Sequence, residues 1–311
     1  MRRELKAMVE SPESEPGDRP GLSLSRFEIV LIAAFVLIWI PGLLQLAKFW
    51  SEVDYASHGF LVPLVALWAA TAHRVELASL GVRPMPGGLL LLGLAAAGLV
   101  AALLLNNPTV TGLIFVITVV LLILALRGVA WVSTLRFSVA YLLFMIPLPL
   151  GWVTPVIVQL QLIVSTAAVR ILQAMGVSIF REGNVLTLPG DVSLFVAEAC
   201  SGITSLITLL PIGVFIAYFT EVTALRRGIL MAAVVPIALA GNLLRVILTV
   251  LLSIRVSVPF ATEGPLHEWA GVGTYVIGCS ALLGVGALMR RFFPEEPHLG
   301  GSSEDEWGAP A

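Results

Sequence analysis

The sequence predicts an all-α polytopic membrane protein with about eight transmembrane helices, one interfacial or re-entrant helix and a short extracytoplasmic β-hairpin. Composition is the first reason. The 311 residues are 58% hydrophobic and 12% charged, with a mean hydropathy of +0.97, whereas soluble domains carry about twice that charged share. The second is a series of uninterrupted apolar stretches of about 20 residues, the length that crosses a hydrocarbon core roughly 30 Å thick. The third is a change of texture near residue 185, where helical runs give way to alternation around a Pro-Gly-Asp turn.

Residues 1–26 are polar, carry both charges and include Pro12, Pro16 and Pro20, which reads as a disordered cytoplasmic tail. The membrane domain is expected over 27–293, and the acidic, Gly-, Ser- and Pro-containing stretch 294–311 as a second disordered cytoplasmic tail. The first apolar run is too long for a signal-peptide core and no small-residue cleavage site follows it, so it reads as a retained anchor. The net charge of -2 gives no footprint for nucleic acid. Cys200 and Cys279 could form one disulfide at most, and Cys279 lies in mid-helix, which argues against a structural bridge.

The expected spans are 27–50, 59–73, 87–105, 109–126, 134–150, 200–220, 227–252 and 268–290. Arginines and lysines in short loops favour the cytoplasm. Arg26, Arg74, Arg83, Arg127, Arg136, Arg226, Arg227, Arg290 and Arg291 all fall on that side if residues 152–175 do not cross. That segment carries Gln159, Gln161, Ser165, Thr166, Arg170 and Gln173, a load a lipid-facing span rarely bears. An interfacial or re-entrant helix accommodates it; the alternative is a span whose polar side faces the bundle. Val185 and Thr187, then Val192, Leu194 and Val196, alternate around "LPGD" and read as a hairpin leading into the sixth span.

This topology brings three reactive side chains to one membrane level. Cys200 opens the sixth span at its outer end, and His267 opens the eighth. Arg245 lies 18 residues beyond Arg227, roughly 27 Å along a helix and so close to the outer boundary. A thiolate is a nucleophile, and both a helix N-terminus and a nearby cation lower a thiol's pKa. The N–H groups of Ser201 and Gly202 stand where an oxyanion would form. Histidine can protonate a leaving amine and then activate an incoming nucleophile. Arginine cannot accept a proton, so the role open to Arg245 is electrostatic. Asn242, three residues earlier on the same face, can serve the same partner. Each residue also has a plainer reading: cysteine as packing, histidine as an interfacial group, arginine and asparagine as helix contacts. Glu198 and Glu268 flank this set and could orient His267 or bind the arginine, or be solvated interfacial groups. Arg181, Glu182 and Asn184 at the hairpin could read a polar substrate motif or cap the turn. His58 is an accessory candidate at the outer end of the second span. No HExxH or GxSxG pattern occurs, which disfavours zinc-protease and serine-hydrolase chemistry; no metal or other cofactor is expected.

The ordered set "REGNVLTLPGDVSLFVAEACSGI", "GNLLRV" and "LHEWAG" resembles the exosortase/archaeosortase family of membrane cysteine transpeptidases, and "YASHGFLVPLVALW" resembles the segment near the start of bacterial exosortases. The resemblance implies Cys200 as nucleophile, Arg245 as the arginine and His267 as the third member, a histidine in the bacterial branch. It also implies membrane-anchored protein substrates bearing a C-terminal sorting signal of the PEP-CTERM type, comprising a short motif, a transmembrane helix and a basic cluster. The signal would be cleaved through a thioester and the protein passed to an acyl acceptor still to be identified. The implied setting is the inner membrane of a bacterium, with the site on the extracytoplasmic side, linked to exopolysaccharide and surface assembly. Rival readings are a thiol-dependent membrane acyltransferase and a non-catalytic polysaccharide-export or transport partner. The latter expects broken helices in repeated halves, and no repeat is seen.

Overall fold

The computed structural model describes residues 25–183, 185–189, 192–195, 203–262 and 265–292. The chain divides into two units between Leu150 and Gly151.

The first unit begins with helix α1 (Arg26–Glu52). The Ser25 hydroxyl accepts from the Glu28 N–H at 3.2 Å, and the Glu28 carboxylate accepts from the Ser25 N–H at 2.7 Å. This reciprocal pair satisfies donors that a helix start leaves open. Glu28 also pairs with Arg127 at 3.0 Å. A 3-10 turn (Asp54–Phe60) follows, then α2 (Val62–Thr71), α3 (Arg74–Ser79), α4 (Gly88–Leu104), α5 (Pro108–Leu126), α6 (Val129–Thr134), α7 (Arg136–Tyr141) and a second 3-10 turn (Leu142–Met145). Trp39 packs edge-on against Phe115 at 5.0 Å, tying α1 to α5.

The second unit holds α8 (Leu150–Ala174), strands β1 (Phe180–Glu182), β2 (Val185–Leu188) and β3 (Val192–Phe195), then α9 (Ile203–Thr220), α10 (Ala224–Arg255), α11 (Val258–Thr262) and α12 (Pro265–Phe292). The expected hairpin is present and gains a third strand, giving an antiparallel sheet in the order β1-β2-β3. The burial pattern of β2 defines its core face. Leu186 and Leu188 are buried, whereas Val185 and Thr187 are half-buried. Leu186 stands opposite buried Leu194, and that face packs on Val164, Ala168 and Leu172 of α8 and on Val246 and Val250 of α10. Burying such a side chain contributes about 1.5–3 kcal/mol. Helix burial on one side of the sheet therefore selects the leucines over the β-branched pair.

Among the described residues five helices are long and apolar enough to cross a membrane: Arg26–Glu52, Pro108–Leu126, Leu150–Ala174, Ala224–Arg255 and Trp269–Phe292. Two expected spans are shorter than proposed. The 59–73 segment contains the ten-residue helix α2, which rises about 15 Å, half the hydrocarbon thickness. The 134–150 segment breaks into α7 and a 3-10 turn. The 152–175 segment, expected as interfacial or re-entrant, is one continuous 25-residue helix with the length and composition to cross. Its polar load is divided: Gln161 and Ser165 are buried, while Gln159 and Arg170 are exposed.

Helices α9, α10 and α12 form a three-helix core around Leu209, Leu230, Val234, Ala238 and Leu282. One end is fastened by Glu221, whose side chain has 0% exposure. Its carboxylate pairs with Arg290 at 2.5 Å and lies 4.0 Å from Arg226. The guanidinium of Arg227 donates to the Glu221 carbonyl at 2.8 Å and lies over the Tyr218 ring. Removing one partner of a buried ion pair strands the other charge at a cost of about 3–5 kcal/mol. Glu221→Ala is therefore expected to lower the thermal midpoint of the detergent-solubilised protein by several degrees, and Arg290→Ala to lower it less, because Arg290 is 44% exposed. Equal, negligible shifts in a melting curve would remove this cluster as the fastening.

Candidate functional site

The fastening at Glu221 sets the register of the two long helices. Arg245 follows Arg226 by 19 residues on α10, and Gly271 precedes Arg290 by 19 on α12. At 1.5 Å per residue both separations are about 28 Å, so the antiparallel pair meets again nearly one membrane thickness away. It does meet there. A Cβ placed on Gly271 would lie 3.5 Å from Nη2, 3.6 Å from Cζ and 3.7 Å from Nη1 of Arg245. The guanidinium rests against the bare backbone of α12. His267 stands four residues before Gly271, one helical turn away on the same face. Packing within the second unit thus brings the Arg245 guanidinium to α12 at Gly271, one turn along the backbone from position 267.

Arg245 is half-buried, and its carbonyl accepts from the Thr249 hydroxyl at 2.9 Å. Asn242, 1% exposed, lies one turn before it. On the next turn, Val246 is held in the apolar contact between α10 and the sheet. One stretch of α10 therefore faces the sheet with Val246 and Val250 and meets α12 with Arg245.

The remaining candidates divide sharply. Asn184, Glu198, Cys200, Ser201 and Gly202 lie outside the described residues; Cys200 stands three residues before the first turn of α9. His267 and Glu268 are placed by the helical backbone of α12. Arg181 is exposed on β1, and its Nη1 donates to the Gly183 carbonyl at 2.8 Å. Gly183 occupies the left-handed region at φ +59°, which glycine enters at no steric cost. The guanidinium caps this turn, the plainer of its two sequence readings.

His58 belongs to the first unit. Its Nδ1 lies 3.1 Å from the Tyr55 carbonyl and its Nε2 lies 3.0 Å from the Phe144 carbonyl, joining the two 3-10 turns. Burial pushes its pKa below the ordinary value, and the Phe144 and Tyr55 carbonyls pull it partly back. Two residues of consequence were passed over in the sequence reading. Glu221 offered a signal, an acid five and six residues ahead of two arginines at a helix start. Gly271 offered none, since its importance is the space it leaves.

A family model described as transmembrane exosortase matches residues 50–284. The chain belongs to the transmembrane exosortase family. No curated protein and no solved structure matches it. The match spans both units and includes the segments bearing His58, Cys200, Arg245 and His267. This exosortase family member is a multi-pass membrane protein, in agreement with its apolar helices.

The lowered pKa of His58 fixes the sign of a pH effect. The folded protein holds this proton less readily than the unfolded chain, so the stability contributed is present above the unfolded value and lost as pH falls through it. Thermal midpoints are expected to fall as pH is lowered below about 6.5, with part of that slope missing in His58→Ala. At neutral pH the same variant should be destabilised by about 1 kcal/mol, because the neutral ring donates to one of these carbonyls and that bond is lost. Identical pH slopes for parent and variant in a melting series would contradict the assignment.

Proposed function

We propose that this exosortase family member is a membrane cysteine protease and transpeptidase that removes C-terminal sorting signals from exported, membrane-anchored proteins. The observation that carries the reading is the Arg245 guanidinium lying against α12 one turn from His267, at the end of the helix core remote from Glu221. Cys200 precedes the helix that runs from that end to Glu221. Family membership supplies the activity class.

In the proposed reaction the Cys200 thiolate attacks the carbonyl carbon of the scissile peptide, forming a C–S bond. Negative charge develops on the carbonyl oxygen, where the Arg245 cation and the N–H groups of Ser201 and Gly202 act on it. Collapse breaks the C–N bond; His267 protonates the departing amine, which leaves with the transmembrane tail. The thioester is then attacked by an acceptor nucleophile that gives its proton to His267, and the thiolate departs. Water as acceptor gives hydrolysis, and an amine or hydroxyl on another molecule gives transfer. Cationic helix ends at Arg226, Arg227, Arg290 and Arg291 favour the cytoplasm, which supports a reactive end on the outer side of an inner membrane. Surface-polymer assembly is the setting the family suggests.

Mass spectrometry of a co-expressed substrate tests the proposal. The parent should yield a C-terminus truncated near the sorting motif, joined to water or to an acceptor. Cys200→Ala should insert normally and leave the tail intact. Arg245→Lys should lower kcat/KM on the order of 10²-fold, since lysine lacks the planar fork that serves a developing oxyanion. Normal tail removal by Cys200→Ala would end the nucleophile assignment. A lipid acyl group transferred with no peptide bond cut would instead identify a thiol-dependent acyltransferase.

A further inference from the structure

We infer that Gly271 is a positioning residue for Arg245, its small size leaving the guanidinium room to lie over this turn of α12, at the end of the core remote from Glu221. The inference rests on the role proposed for Arg245 above and extends it to a residue with no reactive group of its own. All three atoms nearest to a Cβ at 271 belong to that guanidinium, at 3.5, 3.6 and 3.7 Å. An approach within the guanidinium plane would leave Cζ clearly the farthest of the three. Nearly equal distances mean that the planar face packs on the α12 backbone, so that the N–H donors, which lie in the plane, are directed along the helix interface.

Other glycines of α12 behave differently. At Gly278 a Cβ would meet the Leu209 side chain at 3.4 Å, an ordinary helix-packing contact, and at Gly273 it would meet nothing within 4 Å. Only at 271 and 286 does a charged group fill the space, and at 286 that group is the Glu221–Arg290 pair. At both ends of α12 a charged side chain lies beside a glycine, more tightly at 286, where a Cβ would stand 3.0 Å from the Glu221 carboxylate, than at 271. At 271 a methyl group fits in van der Waals contact, whereas a branched side chain must displace the arginine.

The test uses full-length protein carrying Cys279→Ala, so that Cys200 is the one thiol. Its alkylation rate is followed against pH, and tail processing is measured in parallel, for Gly271→Ala, Gly271→Ser, Gly271→Val and Arg245→Gln. Gly271→Ala, whose methyl group meets the guanidinium only at van der Waals distance, should shift the alkylation profile less than Gly271→Val. Gly271→Val, or Gly271→Ser if the valine variant does not accumulate, should move the thiol's apparent pKa upward, as Arg245→Gln does. The double variant of Gly271→Val or Gly271→Ser with Arg245→Gln should move it no further than Arg245→Gln alone, because both changes remove one interaction. A profile shifted by Arg245→Gln but by neither of the larger substitutions at 271, or shifts that add in the double variant, would overturn the positioning role while leaving the proposed chemistry intact. A profile that Arg245→Gln itself leaves unmoved would overturn the electrostatic role of Arg245 and this inference together.

Discussion

A carboxylate withdrawn from water at Glu221 is the constraint on which the second unit depends. Its side chain has no exposed surface, and arginines from two other helices approach it. Such a charge is tolerated only with partners in place. Three helix termini, the end of α9, the start of α10 and the end of α12, are therefore obliged to meet at one point. Dispersion and apolar packing around Leu230, Val234 and Leu282 fill the space between them, but contacts of that kind permit several sliding registers. An ion pair with defined partners permits one.

That register determines where Arg245 meets α12. Once Arg226 and Arg290 share Glu221, the equal separations of 19 residues along α10 and α12 bring Arg245 and Gly271 level, and position 267 follows one turn on. The small sheet serves the same end from another direction. Leu186, Leu188 and Leu194 press against Val246 and Val250 of α10, which fixes the rotation of that helix about its axis. An arginine directly beside Val246 is thereby aimed at α12 and kept off the sheet. Ion pairing sets the translation of α10 and apolar burial sets its rotation; the placement of Arg245 against α12 needs both.

The first unit illustrates a different economy. Its polar groups are spent on backbone and side-chain contacts that hold short helices together. The imidazole of His58 spans two carbonyls from turns distant in sequence, and the Trp50 indole donates to the Met145 carbonyl at 3.1 Å. These bonds compensate for segments too irregular to satisfy their own backbone in an apolar setting. A histidine in a quoted family motif thus has a sufficient structural occupation.

The amino-acid sequence by itself determined the membrane class, four of the five long apolar helices and the hairpin around "LPGD", and it offered Arg245 and His267 as candidates for one site. Each of these follows from local composition, spacing or a motif read along the chain. It did not determine that 59–73 and 134–150 break into shorter pieces, since an apolar run looks the same whether it forms one helix or several. Nor did it determine which face of β2 is buried, because Val185, Leu186 and Leu188 are all apolar and only the helices beneath the sheet distinguish them. Glu221 and Gly271 were decided by tertiary structure alone: a carboxylate reads as buried only when its partners surround it, and a small residue has meaning only when another side chain lies beside it.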